Sequence, residues 1–490
     1  MKKIGYAIAA TLLVLITVVI YRTYNYDRPS IDIPPASETT VDEGAAQRLS
    51  EAVQIATVSY DEPGRFHPEP FMNMQLWLAE NFPLCDSLLD KTVINRFSLL
   101  YHWKGSNPDL KPVVLMGHMD VVPIEESTAD QWVHPPFSGA IADGYIWGRG
   151  TLDDKGSVIA ILEATETLLR QGHEPERGIY LAFGHDEEIG GNAGAAKIAA
   201  HLESKGVEAA YVLDEGMIIA HGLLPGFKEP IALIGIAEKG FLTLELIVNV
   251  EGGHSSTPKP ETSVTILTNA INRLVASPFK ARISKPTQEM FRFLAPEAGF
   301  TQKMAFQNLW LFENMVVGSF EKSSGSNAVV RTTIAPTILE AGVKENVIPA
   351  RARAVVNFRL LPGDSVRQVI RHVENVIRDE RVQIRTQDDW TSEASPVSAV
   401  DSEGFNAIRM ALGQHFPDVI TAPTLVVGGT DAKHYTGVSP DIYRFIPMPV
   451  DSESLKGLHG LNERVKVEDY IKSIHFYQQL ILNSTKTASK

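Results

Sequence analysis

Three short apolar runs in the first half of the chain are each bounded by turn residues. Runs of three to five apolar residues are too short for helices and are typical of strands buried on both faces. Residues 156–171 and 192–205, which follow the first and second runs, carry apolar side chains at helical spacing. This alternation predicts an α/β fold with a mostly parallel sheet and helices on both faces. The three runs are 113–116, 179–183 and 211–213.

The pattern changes after residue 239. Residues 241–250 and 352–360 alternate apolar and polar side chains, as in a strand with one solvated face, and helical segments occur at 263–275 and 365–378. We therefore expect an inserted α+β domain on an antiparallel sheet. The expected organisation is a membrane segment at 1–21, a linker at 22–43, a catalytic domain in two parts at 44–239 and 393–490, and the inserted domain at 240–392.

The N-terminus begins with Lys2 and Lys3 and continues with an uncharged run at 4–20. This run is at the short end for a membrane span and slightly longer than a usual signal-peptide core, so a retained anchor and a cleaved signal both stay open. No small-x-small cleavage site follows directly, which favours the anchor, and the lysines favour a cytoplasmic N-terminus. We expect a membrane-anchored chain with its catalytic domain in the periplasm, a lumen or the extracellular space, or a secreted chain if the segment is cleaved.

Charge and cysteine content limit which partners and which kinds of metal site the chain can have. The 45 Lys and Arg residues against 59 Asp and Glu residues give a net charge of −14 without a segregated basic patch, so no nucleic-acid partner is expected. The one cysteine, Cys85, can form neither an internal disulfide nor a thiolate-based zinc site. A metal in this chain would be held by histidines and carboxylates.

Histidine and acidic residues directly follow all three predicted strands. His118 and Asp120 follow the first strand, Glu187 and Glu188 follow the second, and Asp214 follows the third. Because ligands bind beyond the carboxyl ends of strands in an open parallel sheet, these side chains should converge in one crevice. Crowded acids repel one another unless cations neutralise them, so we expect two divalent ions, zinc by ligand type, with cobalt or manganese as substitutes.

Each of these motifs is weak evidence by itself. A His-x-Asp pair arises about once by chance in a chain of this composition, and adjacent acids such as Glu187 and Glu188 usually form a solvated turn. Asp153 and Asp154 lie in a glycine-framed segment before the predicted helix at 156–171, and they could simply cap that helix. The prediction therefore depends on the joint placement of the motifs.

Six short segments follow one another along the chain: GHMDVVP at 117–123, GRGTLDDKG at 148–156, DEEIGG at 186–191, the strand end at Asp214, GGHSSTP at 252–258 and GLHG at 457–460. Together they resemble the signature segments of the co-catalytic zinc exopeptidases of peptidase family M20. The resemblance covers essentially everything after the linker. Residues 428–435 (GGTDAKHY) are most similar to the carboxypeptidase S and N-fatty-acyl-amino-acid synthase/hydrolase branch. The resemblance implies a zinc-exopeptidase-like sheet and gives the inserted domain the role of a lid or dimerisation domain.

The resemblance also implies a set of metal ligands. His118 and Asp214 would hold one zinc ion, Glu188 and His459 would hold the second, and Asp153 would bridge them. Two Zn²⁺ ions per chain are therefore expected. The bridging position implied for Asp153 competes with the simpler helix-cap interpretation given above.

Further roles follow from the same resemblance. Asp120 would orient His118, and Glu187 would be the general base and later the acid that protonates the leaving amine. His254 resembles the histidine that stabilises the oxyanion, often from a partner subunit. Arg359 is placed like the arginine that grips the substrate carboxylate, and Asn327 is a looser candidate for polar support.

Simpler interpretations remain for the accessory residues. His254 could belong to an ordinary turn, and Arg359 could pair with Asp364 at the surface. The role of His434 stays undecided between substrate contact and packing. Residues 290–316 are rich in bulky apolar side chains, which would form either the core and dimer contact of the inserted domain or a wall for a long acyl group.

The function that we expect is a metallohydrolase that cleaves the amide bond next to a free carboxylate. It would act as a carboxypeptidase on short peptides or as an N-acyl-amino-acid amidohydrolase. The alternative is a catalytically silent, membrane-tethered binding protein on the same fold, although neither Glu187 nor a metal ligand is missing. Expected partners are a small peptide or N-acyl amino acid and, through the N-terminal segment, a membrane. A homodimer through the inserted domain stays open.

Overall fold

The computed structural model of the chain describes residues 2–27 and 29–485. Three predicted segments extend beyond these ranges: Met1, Arg28 and 486–490 lie outside the described residues. The α-helices of the described residues are α1 Lys2–Tyr24, α2 Ala45–Gln54, α3 Pro68–Asn81, α4 Pro83–Leu88, α5 Lys155–Arg170, α6 Ala195–Ser204, α7 Ser263–Ala276, α8 Lys285–Leu294, α9 Phe300–Gln307, α10 Leu309–Phe320, α11 Ser324–Val330, α12 Val366–Ile377, α13 Glu403–His415 and α14 Val467–Thr485.

The strands form two larger sheets and two small ones. The strands are β1 Asp90–Ile94, β2 Ser98–Trp103, β3 Val113–His118, β4 Ile141–Ala142, β5 Tyr145–Trp147, β6 Ile179–Gly184, β7 Tyr211–Asp214, β8 Ile219–Ala220, β9 Ile231–Glu238, β10 Gly240–Asn249, β11 Gly253–His254, β12 Thr333–Ala341, β13 Val347–Ile348, β14 Arg351–Leu360, β15 Val382–Ser392, β16 Ile420–Val426, β17 Ile442–Arg444, β18 Pro449–Val450 and β19 Arg464–Lys466.

The central sheet has the strand order β1-β2-β6-β3-β7-β17-β9-β8-β18, with β16 also paired to β9. Its middle strands β6, β3, β7 and β17 are parallel, whereas β1 and β2 at one margin and β8 and β9 at the other pair antiparallel. The three predicted strands are β3, β6 and β7 of this parallel part. The predicted α/β fold class is confirmed, with antiparallel margins as the refinement.

Helices cover both faces of the central sheet because its middle strands are apolar on both sides. Leu115, Leu181 and Leu213 point into the core that α5, α13 and α14 close. Val114 and Ala182 point into a second core on the opposite face, under α6. Both sets of side chains are buried, as expected for strands of a doubly covered sheet.

The second sheet is antiparallel, with the strand order β12-β14-β10-β15. Its core alternates along β10 and β14 and is closed by α7 and α12. Both helices begin with a capping box, from Thr262 and Ser365 respectively, in which the cap side chain and the third helical residue satisfy each other's backbone N–H groups. The separate antiparallel sheet agrees with the predicted inserted domain, while the domain boundaries stay predictions.

The bulky apolar residues of 290–316 do not pack on the antiparallel sheet. Phe291 and Phe293 are buried in the core of the central sheet, where α8 lies against β16. Part of α9 and α10 instead leaves large apolar side chains exposed. The sequence shows that these helices are apolar but not which sheet they contact, because a helical period carries no information about its partner.

Helix α1 is the one described helix long and apolar enough to cross a membrane. Its most apolar window has a mean hydropathy of 2.4 and only 6% of that window is buried. Val19 and Thr23, near its C-terminal end, are buried against the rest of the chain. By length and composition α1 is consistent with either a signal anchor or a signal peptide.

Candidate metal centre and active site

The carboxyl ends of three neighbouring parallel strands bring the predicted residues to one edge of the central sheet. His118 is the last residue of β3, and Asp214 is the last residue of β7. Glu187 and Glu188 begin a short 3₁₀ turn three residues after β6 ends. Because β6, β3 and β7 are adjacent, separate sequence motifs become spatial neighbours here.

Asp153 lies between two histidines. One carboxylate oxygen is 2.9 Å from His118 Nε2, and the other is 3.0 Å from His459 Nε2. His459 Nε2 is also 3.2 Å from Glu188 Oε2. His118, Asp153 and Glu188 each offer a ligand atom, and these three atoms lie within 4.8 Å of one another. The structure therefore brings three of the other four predicted ligands, His118, Glu188 and His459, close to Asp153.

The cluster suits a cation because its acids are buried and not fully paired. Glu188 Oε1 and Asp214 Oδ2 are buried oxygens without a hydrogen-bond partner in the described chain. Burial raises the pKa of Asp214 to about 6, and it raises the pKa of Glu188 as well. Burial acts in the same direction on Asp153, but hydrogen bonds from His118 and His459 outweigh it and lower that pKa. Imidazole and carboxylate donors without thiolate fit zinc or a similar divalent ion.

Asp120 connects two parts of the cluster. Its carboxylate is 3.3 Å from His118 Nδ1 and accepts hydrogen bonds from the backbone N–H groups of Glu187 and Glu188 at 3.1 and 3.2 Å. Ser59 Oγ donates a further hydrogen bond at 2.6 Å. Burial opposes the charge of Asp120, but these donors keep its pKa below the usual value. Asp120 thus orients one histidine and also fixes the backbone that carries Glu187 and Glu188.

A buried ion pair that the sequence reasoning missed joins the Asp153 segment to the His459 segment. Arg149 Nη1 donates to Glu463 Oε2 at 2.6 Å, and Arg149 Nη2 donates to the Gly460 carbonyl at 2.9 Å. Glu463 Oε1 accepts the backbone N–H groups of Gly150, Leu152 and Asp153 at 3.0, 2.9 and 3.2 Å. Burial raises the pKa of Glu463 even though Arg149 favours its charged form. The position of Glu463, four residues after His459, was the one signal that could have indicated it.

Glu187 has the environment of a proton carrier. Burial raises the pKa of its carboxyl group well above the usual value, the neighbouring acids Asp431 and Glu188 add to this effect, and His118 opposes it. A carboxyl group whose pKa moves toward neutrality can both accept and return a proton. Its backbone N–H donates to Asp120, which fixes the turn that carries it.

The predicted segment GGTDAKHY closes over this edge of the sheet as a short 3₁₀ turn, Asp431–Tyr435. The buried carboxylate of Asp431 lies so close to Gly191, which has φ +71°, that no larger side chain would fit there. His434 Nε2 is 3.0 Å from the Gly190 carbonyl, which supports packing for this residue. Glycines after Glu188 are therefore required by close approach as well as by conformation.

Arg359 lies beyond this segment, on β14 of the antiparallel sheet. The Arg359 guanidinium is 4.5 Å from the Phe241 ring centre and faces Gly429, and burial lowers its pKa. The expected alternative for Arg359 is wrong, because Asp364 pairs with Arg282 at 2.9 Å. Asn327 is half-buried in α11.

Lys239, a residue not predicted from the sequence, fixes that helix. Its ammonium group donates to the carbonyls of Ala328 and Arg331 at 3.0 and 2.7 Å. Burial, and to a smaller extent the charge of Arg359, lowers its pKa to about 7. Arg359 therefore shares a partly buried, cationic environment with Lys239.

His254 is exposed on β11, and the described hydrogen bonds of its imidazole ring are to Ser256. No contact among the described residues brings it to the Asp153 cluster within one chain. The structure thus groups His118, Asp120, Asp153, Glu187, Glu188 and His459, and it places Asp214 near enough for its charge to interact with His118. His254 is left outside this group.

A cavity of about 360 Å³ opens beside the cluster. Its walls come from both sheets: Gly190 follows Glu188, Lys433 and His434 follow Asp431, and Trp390 is carried by β15. The Trp390 indole lies against Gly190 and within 5.6 Å of the Lys433 ammonium. The antiparallel sheet therefore contributes an aromatic wall to this cavity.

Buried carboxylates and two histidines, one of them buried, gather at the carboxyl ends of parallel strands with the buried Glu187 beside them, which is the arrangement of a metal-dependent hydrolase. The sequence profile of Peptidase family M20/M25/M40 matches residues 114–483. The chain belongs to this family. The predicted family resemblance and enzyme class are confirmed.

Curated relatives resemble the chain over most of its length. It is 43% identical over 446 residues to "Probable carboxypeptidase S-like 2" of Dictyostelium discoideum, covering 90% of this chain and 85% of the relative. It is 39% identical over 504 residues to "N-fatty-acyl-amino acid synthase/hydrolase PM20D1" of Xenopus tropicalis, covering 99% and 96%. These names give no support to the alternative of a catalytically silent binding protein.

Solved structures share the fold at lower identity. The M20 family metallo-carboxypeptidase Sso-CP2 from Sulfolobus solfataricus superposes with a TM-score of 0.66 at 19% identity, covering 90% of this chain and 99% of that structure. Human carnosine dipeptidase 1 gives a TM-score of 0.64 at 18% identity, covering 90% and 96%. The zinc-exopeptidase-like architecture predicted from the motifs is thereby confirmed.

Proposed function

We propose that the chain is a di-zinc amide hydrolase that cleaves the bond next to a free carboxylate. The substrate is either a short peptide, which would lose its C-terminal residue, or an N-acyl amino acid. The names of the carboxypeptidase S-like and N-fatty-acyl-amino acid synthase/hydrolase relatives support these two substrate classes. The observation that carries the proposal is the Asp153 carboxylate, held between His118 and His459 with the buried, unpaired oxygens of Glu188 and Asp214 nearby.

The same residues suggest how two metal ions would be held. His118 and Asp214 would hold one ion, Glu188 and His459 the other, and Asp153 would contact both. Zinc at such a site lowers the pKa of water and polarises a carbonyl group. The acids then exist as carboxylates, because a cation reverses the effect of burial on their pKa.

The chain's own residues supply proton transfer and orientation. Glu187 takes a proton from the attacking water and delivers it to the leaving amide nitrogen, so that the amine departs uncharged. Arg359 pairs with the substrate carboxylate, which a planar guanidinium can bind with two hydrogen bonds, and Asn327 adds polar support. His254, presented by a partner subunit in a homodimer, would donate a hydrogen bond to the oxyanion. The reverse sequence of the same proton transfers would join an acyl group to an amino acid.

We also propose that α1 is retained as a signal anchor and that the catalytic body lies on the extracytoplasmic side. Lys2 and Lys3 precede the apolar run, as expected for a cytoplasmic N-terminus. The buried contacts of Val19 and Thr23 with the body support retention, because a cleaved segment would leave that contact surface empty.

The test of the proposed function is Glu187→Gln. We expect zinc content to stay near two ions per chain, since Glu187 is not assigned as a ligand. We expect hydrolysis to fall by about 10²–10⁴-fold, the usual contribution of a positioned proton carrier. Metal content is measured by inductively coupled plasma mass spectrometry. Rates are measured in parallel on a dipeptide, an N-acetyl amino acid and an N-oleoyl amino acid, and the fastest of them identifies the substrate class.

Glu80→Gln makes the same chemical change at an exposed position of α3 and serves as the matched control. It should leave both zinc content and rate unchanged. Retained turnover by Glu187→Gln would remove Glu187 from its role. A wild-type chain that hydrolyses none of the three substrates after zinc loading would refute the proposed function as a whole.

A further inference from the structure

An apolar patch lies on the surface formed by α9 and α10. Phe300, Trp310, Leu311 and Met315 are exposed to the extent of 55, 52, 42 and 55%. We call these four side chains the α9–α10 patch. Soluble surfaces seldom gather large apolar groups in this way unless the groups contact a partner or a membrane.

The exposed side of α10 carries three large apolar side chains and three polar ones. Val316 and Val317 form the buried side of the helix, whereas Trp310, Leu311 and Met315 are exposed. Glu313 is the one charged residue among the twelve of α10. Helix α10 therefore exposes large apolar side chains to the solvent and carries one charged residue.

Helix α1 is fastened to the same surface. Asn308, between α9 and α10, donates hydrogen bonds from its side-chain amide to the Val19 carbonyl at 3.3 Å and to Thr23 Oγ1 at 3.2 Å. Both Asn308 and Thr23 are buried. The Tyr24 ring lies 6.4 Å from the ring of Phe300, a member of the patch. The C-terminal end of the apolar, exposed helix α1 therefore lies next to the α9–α10 patch.

The length of α1 determines where the patch would lie along the normal of a bilayer. Its 23 residues extend about 35 Å, slightly more than the roughly 30 Å of a hydrocarbon core. The contacts from Val19 to Tyr24 are at the end away from Lys2 and Lys3, where a spanning helix would leave the membrane. Tyr21, Tyr24 and Trp310 are exposed at this end, and such aromatic side chains favour the membrane interface.

We propose that the α9–α10 patch docks into the surface of the lipid bilayer crossed by α1. The position of the patch next to α1, the aromatic residues at their junction and the low charge of α10 together select lipid as the occupant. Two attachments, a spanning helix and a surface patch, hold the catalytic body in one orientation relative to the membrane. This inference rests on the proposed retention of α1 and does not depend on the proposed hydrolase chemistry.

The test uses the full chain, with α1 verified by intact mass, reconstituted into phosphatidylcholine vesicles. Leu311→Cys is labelled with an environment-sensitive fluorophore, and Cys85, only 1% exposed, does not compete for the label. We expect a blue shift of the emission and strong quenching by lipids that carry a nitroxide on the acyl chain. The matched control is Val343→Cys, 94% exposed at the end of β12 in the antiparallel sheet, which should show neither effect.

A second measurement requires no label. Brominated phosphatidylcholine should quench part of the tryptophan emission of the wild-type chain and of Trp390→Phe, and this quenching should be lost in Trp310→Phe. Equal emission from the Leu311 and Val343 probes would place the patch in water and overturn the proposal. A blue shift that nitroxide lipids do not quench and that grows with protein density would show that a second copy covers the patch, which also overturns it.

Discussion

The central sheet and the antiparallel sheet hold their functional side chains in different ways. At the edge of the central sheet, two residues of the proposed metal site are fixed by partners that are themselves buried: Asp120 holds His118, and Glu463 holds the segment of Asp153. On the antiparallel sheet and its small neighbour, Arg359 packs mainly on the Phe241 ring, and His254 is exposed with a local contact to Ser256.

This difference separates two requirements of the proposed reaction. A metal site must be held close to its final geometry before an ion arrives, so it benefits from buried second partners. Residues that contact the substrate must admit it and then close on it, so they tolerate exposure and sit on a separate element. The central sheet therefore preorganises the proposed metal site, whereas the antiparallel sheet carries the proposed substrate contacts, which stay accessible.

The largest effect should come from the buried ion pair of the first region. Glu463→Gln leaves Arg149 buried without its counter-charge, and breaking such a pair costs about 3–5 kcal/mol. We expect a lower urea midpoint and loss of bound metal, because the Asp153 segment loses its anchor. Adding Arg149→Met should restore part of the stability. Arg353→Met, which breaks the pair with Glu245 near the surface of the antiparallel sheet, should cost less than about 1 kcal/mol. Equal losses of stability in Glu463→Gln and Arg353→Met would show that the two sheets hold their side chains equally firmly.

An intermediate effect is expected for Asp120→Asn. The variant keeps the shape of the side chain but loses the charge that orients His118 and accepts from the backbone of Glu187 and Glu188. Loss of such an orienting partner typically weakens metal binding by about 10–100-fold. Competition with a chelator measures this affinity, and Asp109→Asn, at an exposed position, is the matched control. Unchanged zinc affinity would show that the buried partners of the cluster are not required for binding.

The smallest effect is expected on the antiparallel sheet. Arg359→Lys keeps the charge but loses the planar pair of donors, so KM should rise about tenfold with kcat nearly unchanged. Steady-state kinetics on an N-acyl amino acid give both constants. Arg351→Lys, exposed on the same strand, should change neither. A fall in kcat at constant KM would assign Arg359 to the chemical step instead of to binding.

The sequence predicted most of the elements and most of the cluster for a physical reason. Strands β3, β6 and β7 are apolar on both faces, so their bounds are visible as uninterrupted runs, and the residues that follow them must meet at one edge of the sheet. His459 was found through the family resemblance, since no periodic pattern surrounds it.

The partners that hold the cluster were not predictable in the same way. Glu463 and Ser59 are ordinary surface residue types with no local pattern, and although Arg149 lies in the segment GRGTLDDKG, only the fold shows that it pairs with Glu463. The packing of α8 on β16 was also missed, because apolar spacing identifies a buried helix face but not the sheet that covers it. Sequence reasoning therefore identifies ligands more readily than the groups that orient them.

His459 and Glu463 come near the end of the chain, after both sheets have been synthesised. Until this last segment emerges, Asp153 lacks one of its two imidazole neighbours, and its loop lacks the carboxylate that holds it. A nascent chain folds its earlier parts first. It therefore lacks part of the proposed metal site until the segment with His459 and Glu463 has been synthesised. The proposed metal ions would therefore bind with their full set of ligands only after the His459 segment has docked, and the metal supply of the compartment where it docks would decide which ion is bound.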